Sequence, residues 1–104
     1  MNGRVNNVLG AVGNTPLVKL NNITKGLKAN IYAKLEFMNP GGSVKDRIAK
    51  YMVEKAEREG KIKPGDTLIE NSSGNTAMGL AIVARQKGYK LKIVIRDTTS
   101  KESI

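Results

Sequence analysis

The sequence predicts an α/β fold with a parallel sheet, and three observations predict it. Short segments of period two alternate with longer helical ones, the pattern of strands joined by right-handed crossover helices. Each full helical segment closes on a glycine, Gly60 and Gly88, a residue suited to the left-handed stop after a helix. Each helical segment also opens behind a loop of glycine, hydroxyl and amide residues, where such folds carry their loops beyond the carboxyl ends of strands.

Taken in order, Leu17-Val18-Lys19-Leu20 follows Thr15-Pro16 and predicts a short strand. Asn21 to Gly26 is polar and turn-like. Ile31 to Phe37 alternates apolar and polar residues and predicts a second strand. Asn39-Pro40-Gly41-Gly42-Ser43 breaks that pattern. A helix is predicted from there to about Glu59, with Ser43 as N-cap and Asp46 in the first turn, where its charge suits the helix dipole. After the turn at Lys63-Pro64-Gly65-Asp66, Thr67 to Glu70 predicts a strand. Asn71 to Asn75 is a polar loop, and a second helix runs to about Lys87. Every residue from Ala77 to Ala84 in it is apolar or small, so it is expected to be buried on most sides. Gly79 inside it costs about 1 kcal/mol relative to alanine, and close backbone packing is the usual reason. Leu91 to Ile95 predicts another strand, and Asp97 to Glu102 the loop and first turn of a third helix. A helix of one turn is unstable alone, so the chain is expected to be part of something longer.

Composition narrows the function classes. With 104 residues the chain makes one domain at most, and 39% hydrophobic and 26% charged residues are ordinary globular values. No apolar run approaches the roughly 20 residues that span a bilayer, and Met1 to Asn7 lacks the apolar region of a signal peptide. Cysteine and histidine are both absent, which removes a disulfide framework and nearly excludes zinc. A cytoplasmic setting is the expectation. The net charge of +9 could mark a nucleic-acid binder. Against it, the 18 Lys and Arg residues are scattered with no two adjacent, and Tyr32, Phe37, Tyr51 and Tyr89 form no cluster for base stacking. No nucleic-acid partner and no membrane are expected.

Three loops, Asn39 to Ser43, Asn71 to Asn75 and Asp97 to Ser100, are expected to aim helix N-termini at one crevice suited to an anionic ligand. The first delivers Lys45. On a helical projection Lys45 falls on the arc of Val44, Ile48, Ala49, Met52, Val53 and Ala56, away from Arg47, Lys50 and Glu54. Two readings follow from that position. The side chain escapes past the helix end into water, as long amphipathic side chains do. Alternatively, the helix terminus and partial desolvation lower its pKa and make the amine a nucleophile for Schiff-base chemistry. Simple phosphate-loop patterns are missing: neither GxxxxGK[ST] nor GxGxxG occurs at these loops.

Four linked motifs then carry a resemblance over nearly the whole chain: Asn14-Thr15-Pro16-Leu17-Val18; Lys34-Leu35-Glu36 with Asn39-Pro40; Ser43-Val44-Lys45-Asp46-Arg47; and Ser73-Gly74-Asn75-Thr76. In order and spacing the chain resembles cysteine synthase (O-acetylserine sulfhydrylase) and cystathionine β-synthase, of the tryptophan synthase β-like group of pyridoxal-phosphate enzymes. The resemblance implies the N-terminal portion of a three-layer α/β/α, fold type II enzyme. It implies that residues 1–37 hold strands that join the larger domain and 38–104 the βαβ core of the smaller one. Lys45 aligns with the Schiff-base lysine, which would also remove the substrate's α-proton. Loss of the β-substituent would leave an aminoacrylate that a thiol attacks, with pyridoxal 5'-phosphate as electron sink. Asn75 corresponds to the asparagine bonded to the cofactor's ring oxygen. Ser72, Ser73, Gly74, Asn75 and Thr76 would form the loop that takes the substrate carboxylate, although an isolated Ser-Ser-Gly-Asn is also an ordinary helix cap.

The family usually has Pro-Thr-Ser-Gly-Asn-Thr-Gly where this chain has Asn71-Ser72-Ser73-Gly74-Asn75-Thr76-Ala77. Ser72 keeps the hydroxyl, Ala77 adds a methyl group and Asn71 removes a rigid residue, which puts substrate identity in question and not the cofactor. The family's phosphate-binding loop and the residue facing the pyridine nitrogen lie in its C-terminal part. The expectation is therefore a cysteine synthase segment acting on O-acetylserine and sulfide, incompetent alone and homodimeric in full-length form. Cystathionine β-synthase, acting on serine and a thiol, is the alternative, as is a non-catalytic fragment that pairs with another subunit.

Overall fold

The computed structural model describes residues 4–71 and 74–95. Two 3-10 turns, Val8–Ala11 and Glu36–Met38, accompany four strands and two helices: β1 Leu17–Lys19, β2 Tyr32–Lys34, α1 Lys45–Arg58, β3 Thr67–Glu70, α2 Asn75–Lys87 and β4 Lys90–Ile93. The expected strands and helices appear in the expected order. The second strand is shorter than its alternation suggests. At Leu35 the backbone turns to φ −82°, ψ 75° and the chain enters the Glu36–Met38 turn. The predicted third helix and the loop before it lie outside the described residues.

β3 and β4 pair in parallel, Leu68 opposite Leu91, with α2 as their crossover. β1 and β2 form a separate pair, and that pair is antiparallel, Leu17 opposite Lys34. This departs from the uniformly parallel expectation. Residues 20–31 hold no crossover helix, and strands joined by a plain loop run antiparallel.

The core lies where α1, α2 and the β3–β4 pair meet. Ala49 and Val53 of α1 pack with Leu80, Val83 and Ala84 of α2, Leu9 and Tyr89, flanked by Leu68 and Leu91 from the sheet. Alternation then sends Ile69 to the opposite face of β3, where it is 68% exposed. The described residues thus supply the sheet and one helical layer. α2 is buried along Gly79, Leu80, Val83 and Ala84, while Met78 on its other side is exposed, so burial is less complete than its composition suggests. No helix among the described residues is long and apolar enough to cross a membrane.

The helices run side by side in the same direction. The first turn of α1 meets α2 at Gly79, and Glu57 near its far end bonds Lys87 at 2.9 Å and Tyr89 at 2.6 Å. Both helix N-termini, and the positive ends of both dipoles, therefore stand at one end of the layer. That is the end to which β3 delivers the chain before α2 begins.

Candidate active site

Lys45 is the first residue of α1 and is half-buried. Its position depends on the turn before it. Ser43 Oγ accepts the Lys45 backbone N–H at 3.1 Å, as the predicted cap should, although Val44 already has helical dihedrals and is the boundary residue. Asp46 turns inward instead of toward water. It is 1% exposed, and its Oδ2 accepts the Gly41 N–H. Among the described residues its Oδ1 has no hydrogen-bond partner, and it stands where a Gly41 side chain would be, so a larger residue at position 41 would have to displace the Asp46 carboxylate.

This inward turn shifts the buried face of α1 from the expected arc. Asp46, Ala49 and Val53 are buried, while Val44, Ile48 and Met52 are 41–43% exposed. Lys45 thus sits at the border of the packed face. Among the described residues its ammonium has no carboxylate partner, in contrast to Lys61 and Lys87.

Behind the lysine, residues of three motifs bond one another. Glu36 receives Arg47 Nε and Nη2 on its two oxygens at 2.5 and 3.1 Å, a bidentate pair, and Thr15 Oγ1 at 2.6 Å. These donors hold the Glu36 carboxyl down at about 2, the Arg47 bond first and the Thr15 bond next, against the opposing effect of burial. Arg47 also reaches the Gly13 carbonyl at 3.0 Å, and Lys34 the Thr15 carbonyl at 2.6 Å.

Asn39, 4% exposed, binds on three sides. Its Oδ1 accepts Gly13 N–H at 2.7 Å, and its Nδ2 donates to the Glu36 side chain and backbone and to the Ser43 carbonyl at 3.0 Å. The motifs are therefore parts of one scaffold that holds the loop delivering Lys45. Sequence reasoning used Thr15, Glu36, Asn39 and Arg47 only as marks of resemblance. Their opposite charges and amides were visible, but not that residues 21 to 34 positions apart would meet.

The second loop is partly described. Gly74 is the N-cap of α2, Asn75 is its exposed first residue, and Thr76 is half-buried. Ser72 and Ser73 lie outside the described residues. The structure brings Lys45 and Asn75 to the same end of the paired helices: Gly79 lies against Lys45, and Asn75 precedes it by four residues, about 6 Å along the axis. Asn71 and Ala77, the departures in this loop, are exposed and half-buried respectively. The arrangement joins an amine, an amide and two helix N-termini. Among the described residues no group of His, Cys, Asp and Glu could hold a metal ion.

Comparison with known proteins identifies the family. The family described as pyridoxal-phosphate dependent enzyme matches residues 8–104. The chain is 57% identical over 98 residues to a cysteine synthase of Staphylococcus aureus, covering 94% of this chain and 32% of that one. It is 58% identical over 99 residues to a cystathionine beta-synthase of Apis mellifera, covering 93% and 20%. Among solved structures, a hydrogen sulfide-producing enzyme of Fusobacterium nucleatum superposes with a TM-score of 0.88 at 51% identity, over 99% of this chain and 34% of that one. An O-ureido-L-serine synthase superposes with a TM-score of 0.83 at 43% identity, over 96% and 31%. The chain spans about a third of the length of the cysteine synthase it matches. With its family matched over nearly its whole length and its fold shared with enzymes of that kind, the chain belongs to the pyridoxal-phosphate dependent enzymes.

Proposed function

We propose that this chain is the lysine-bearing part of a β-replacement enzyme of the cysteine synthase type, which exchanges the acetoxy group of O-acetylserine for sulfide. The observation that carries it is the place of Lys45, without a carboxylate partner among the described residues, in the first turn of a helix whose N-terminus stands beside that of α2. The residues fit the aldehyde and ring-oxygen side of pyridoxal phosphate. Lys45 offers the amine for covalent attachment, and Asn75, exposed at the start of α2, offers an amide to the ring oxygen. When bound, the cofactor supplies an electron sink for the carbanion formed at the substrate α-carbon.

The chain's own residues do the rest. The Lys45 amine, freed when substrate takes its place, accepts the α-proton. Gly74 and Thr76, with Ser72 and Ser73, present N–H and hydroxyl donors to the substrate carboxylate, which the α2 dipole favours. The Glu36–Arg47–Asn39 scaffold keeps the amine in place between these steps. In the same reading residues 1–37 belong to a larger domain and 38–104 to a smaller one, and the full-length enzyme is a cytoplasmic homodimer.

The identity to a cystathionine beta-synthase favours a second substrate pair, serine with a larger thiol. Both pairs are tested together. The chain is combined with the remaining segment of the Staphylococcus aureus relative and pyridoxal phosphate, then supplied with O-acetylserine and sulfide or with serine and a thiol. Cysteine formation that disappears in Lys45→Ala is the expected result. No product from either pair, and no cofactor absorbance that depends on Lys45, would overturn the proposal.

A further inference from the structure

The two helices that carry Lys45 and Asn75 come closest at one glycine. A Cβ built on Gly79 would lie 3.0 Å from the Lys45 carbonyl oxygen, 3.2 Å from its carbonyl carbon and 3.3 Å from the Ala49 Cβ. The first two distances are to backbone, which cannot swing aside as a flexible side chain does. Gly79 is itself buried, in the second turn of α2, where glycine is a poorer helix former than alanine. Its helix gains nothing from it. What it allows is contact between α2 and the peptide unit of Lys45 itself.

We infer that Gly79 is a positioning residue for Lys45: its missing side chain seats α2 against the Lys45 carbonyl and thereby sets where the amine stands relative to Asn75. A methyl group at position 79 pushes the first turn of α1 away by a few tenths of an ångström. Lys45 moves with that turn, while the far ends of the helices stay tied through Glu57, Lys87 and Tyr89. The helices then splay at the end that holds the two candidate cofactor residues. The reference to Asn75 rests on the proposed function; the link from Gly79 to the Lys45 amine does not.

The test compares the chain with Gly79→Ala and Ala81→Gly, the latter on the exposed side of α2. Two properties are read without cofactor: the acetylation rate of each lysine, by peptide mass spectrometry, and the NMR resonance of the ¹³C-dimethylated Lys45 amine. In Gly79→Ala the Lys45 resonance shifts, and its acetylation rate changes about threefold or more, as small misplacements do. Lys50 and Lys55 are unchanged. Ala81→Gly lowers the melting temperature and leaves Lys45 unchanged.

A Lys45 signal that ignores Gly79→Ala, or that responds equally to Ala81→Gly, would overturn the inference. Adding Ala49→Gly to Gly79→Ala relieves the methyl contact and leaves the carbonyl contact, so the displaced signal is expected to persist. Its return to the original position would also count against the inference. Failure to take up pyridoxal phosphate when the remaining segment is supplied defeats the proposed function and leaves these measurements to decide the role of Gly79.

Discussion

Among the described residues Glu36 is the most heavily bonded carboxylate, and its acidity has a consequence in solution. Its carboxyl lies at about 2 against an ordinary 4.5, chiefly through Arg47 and then Thr15. In the unfolded chain it takes a proton as the pH falls through the ordinary range; in the folded chain it resists until about pH 2. Between those limits the unfolded state binds more protons, so stability falls with falling pH. Glu57, also lowered, by Tyr89 and then Lys87, adds to the same trend. Urea titrations from pH 5 to 2 are expected to show a steady loss that becomes shallower in Glu36→Gln. An identical slope in that variant would mean that the Arg47 pair does not persist in solution. At this scale the sequence marked residues by motif without showing what holds them. Lys45 was marked by its motif. That Asn39 and Arg47 hold its loop depends on contacts with Gly13 and Thr15, far away in the chain.

The elements were more legible, because their signals are local. α1 and α2 end one residue before their expected limits or on them, and Gly60 and Gly88 follow with φ of 73° and 86°. Strand partners were not legible. Alternation in Leu17 to Leu20 and Ile31 to Phe37 says that one face differs from the other, not which strand lies alongside or in which direction. The helix pair is the element on which the site rests, and Val83, fully buried in it, is its best probe. Val83→Ala removes methyl groups from the α1–α2 core and is expected to cost about 2 kcal/mol, measurable as a shift in urea midpoint. A loss below about 0.5 kcal/mol, the level of surface changes, would show that the helices are not packed as described.

For the molecule as a whole, exposure is the outstanding property. The radius of gyration is 17.0 Å, against about 13 Å for a compact chain of 100 residues. Leu17, Phe37 and Ile69 are 62–68% exposed, on or beside two sheets that do not pair with each other. Apolar surface of this kind marks a place where more protein packs. The chain alone is therefore expected to bind a hydrophobic dye and to self-associate with rising concentration in sedimentation. A dye-free, strictly monomeric species would contradict it. The composition could not reveal this, since 39% hydrophobic residues are ordinary and only their placement leaves them uncovered.

Attachment of the cofactor to Lys45 is the claim on which the functional account depends. The direct measurement is to incubate the chain, combined with the remaining segment that completes the enzyme, with pyridoxal phosphate, reduce with borohydride, digest, and locate the pyridoxyl group by mass spectrometry. The account predicts a label concentrated on Lys45, well above that on Lys50, Lys55 or any other lysine. A label spread evenly over the lysines, or one centred elsewhere while Lys45 stays unmodified, would contradict it.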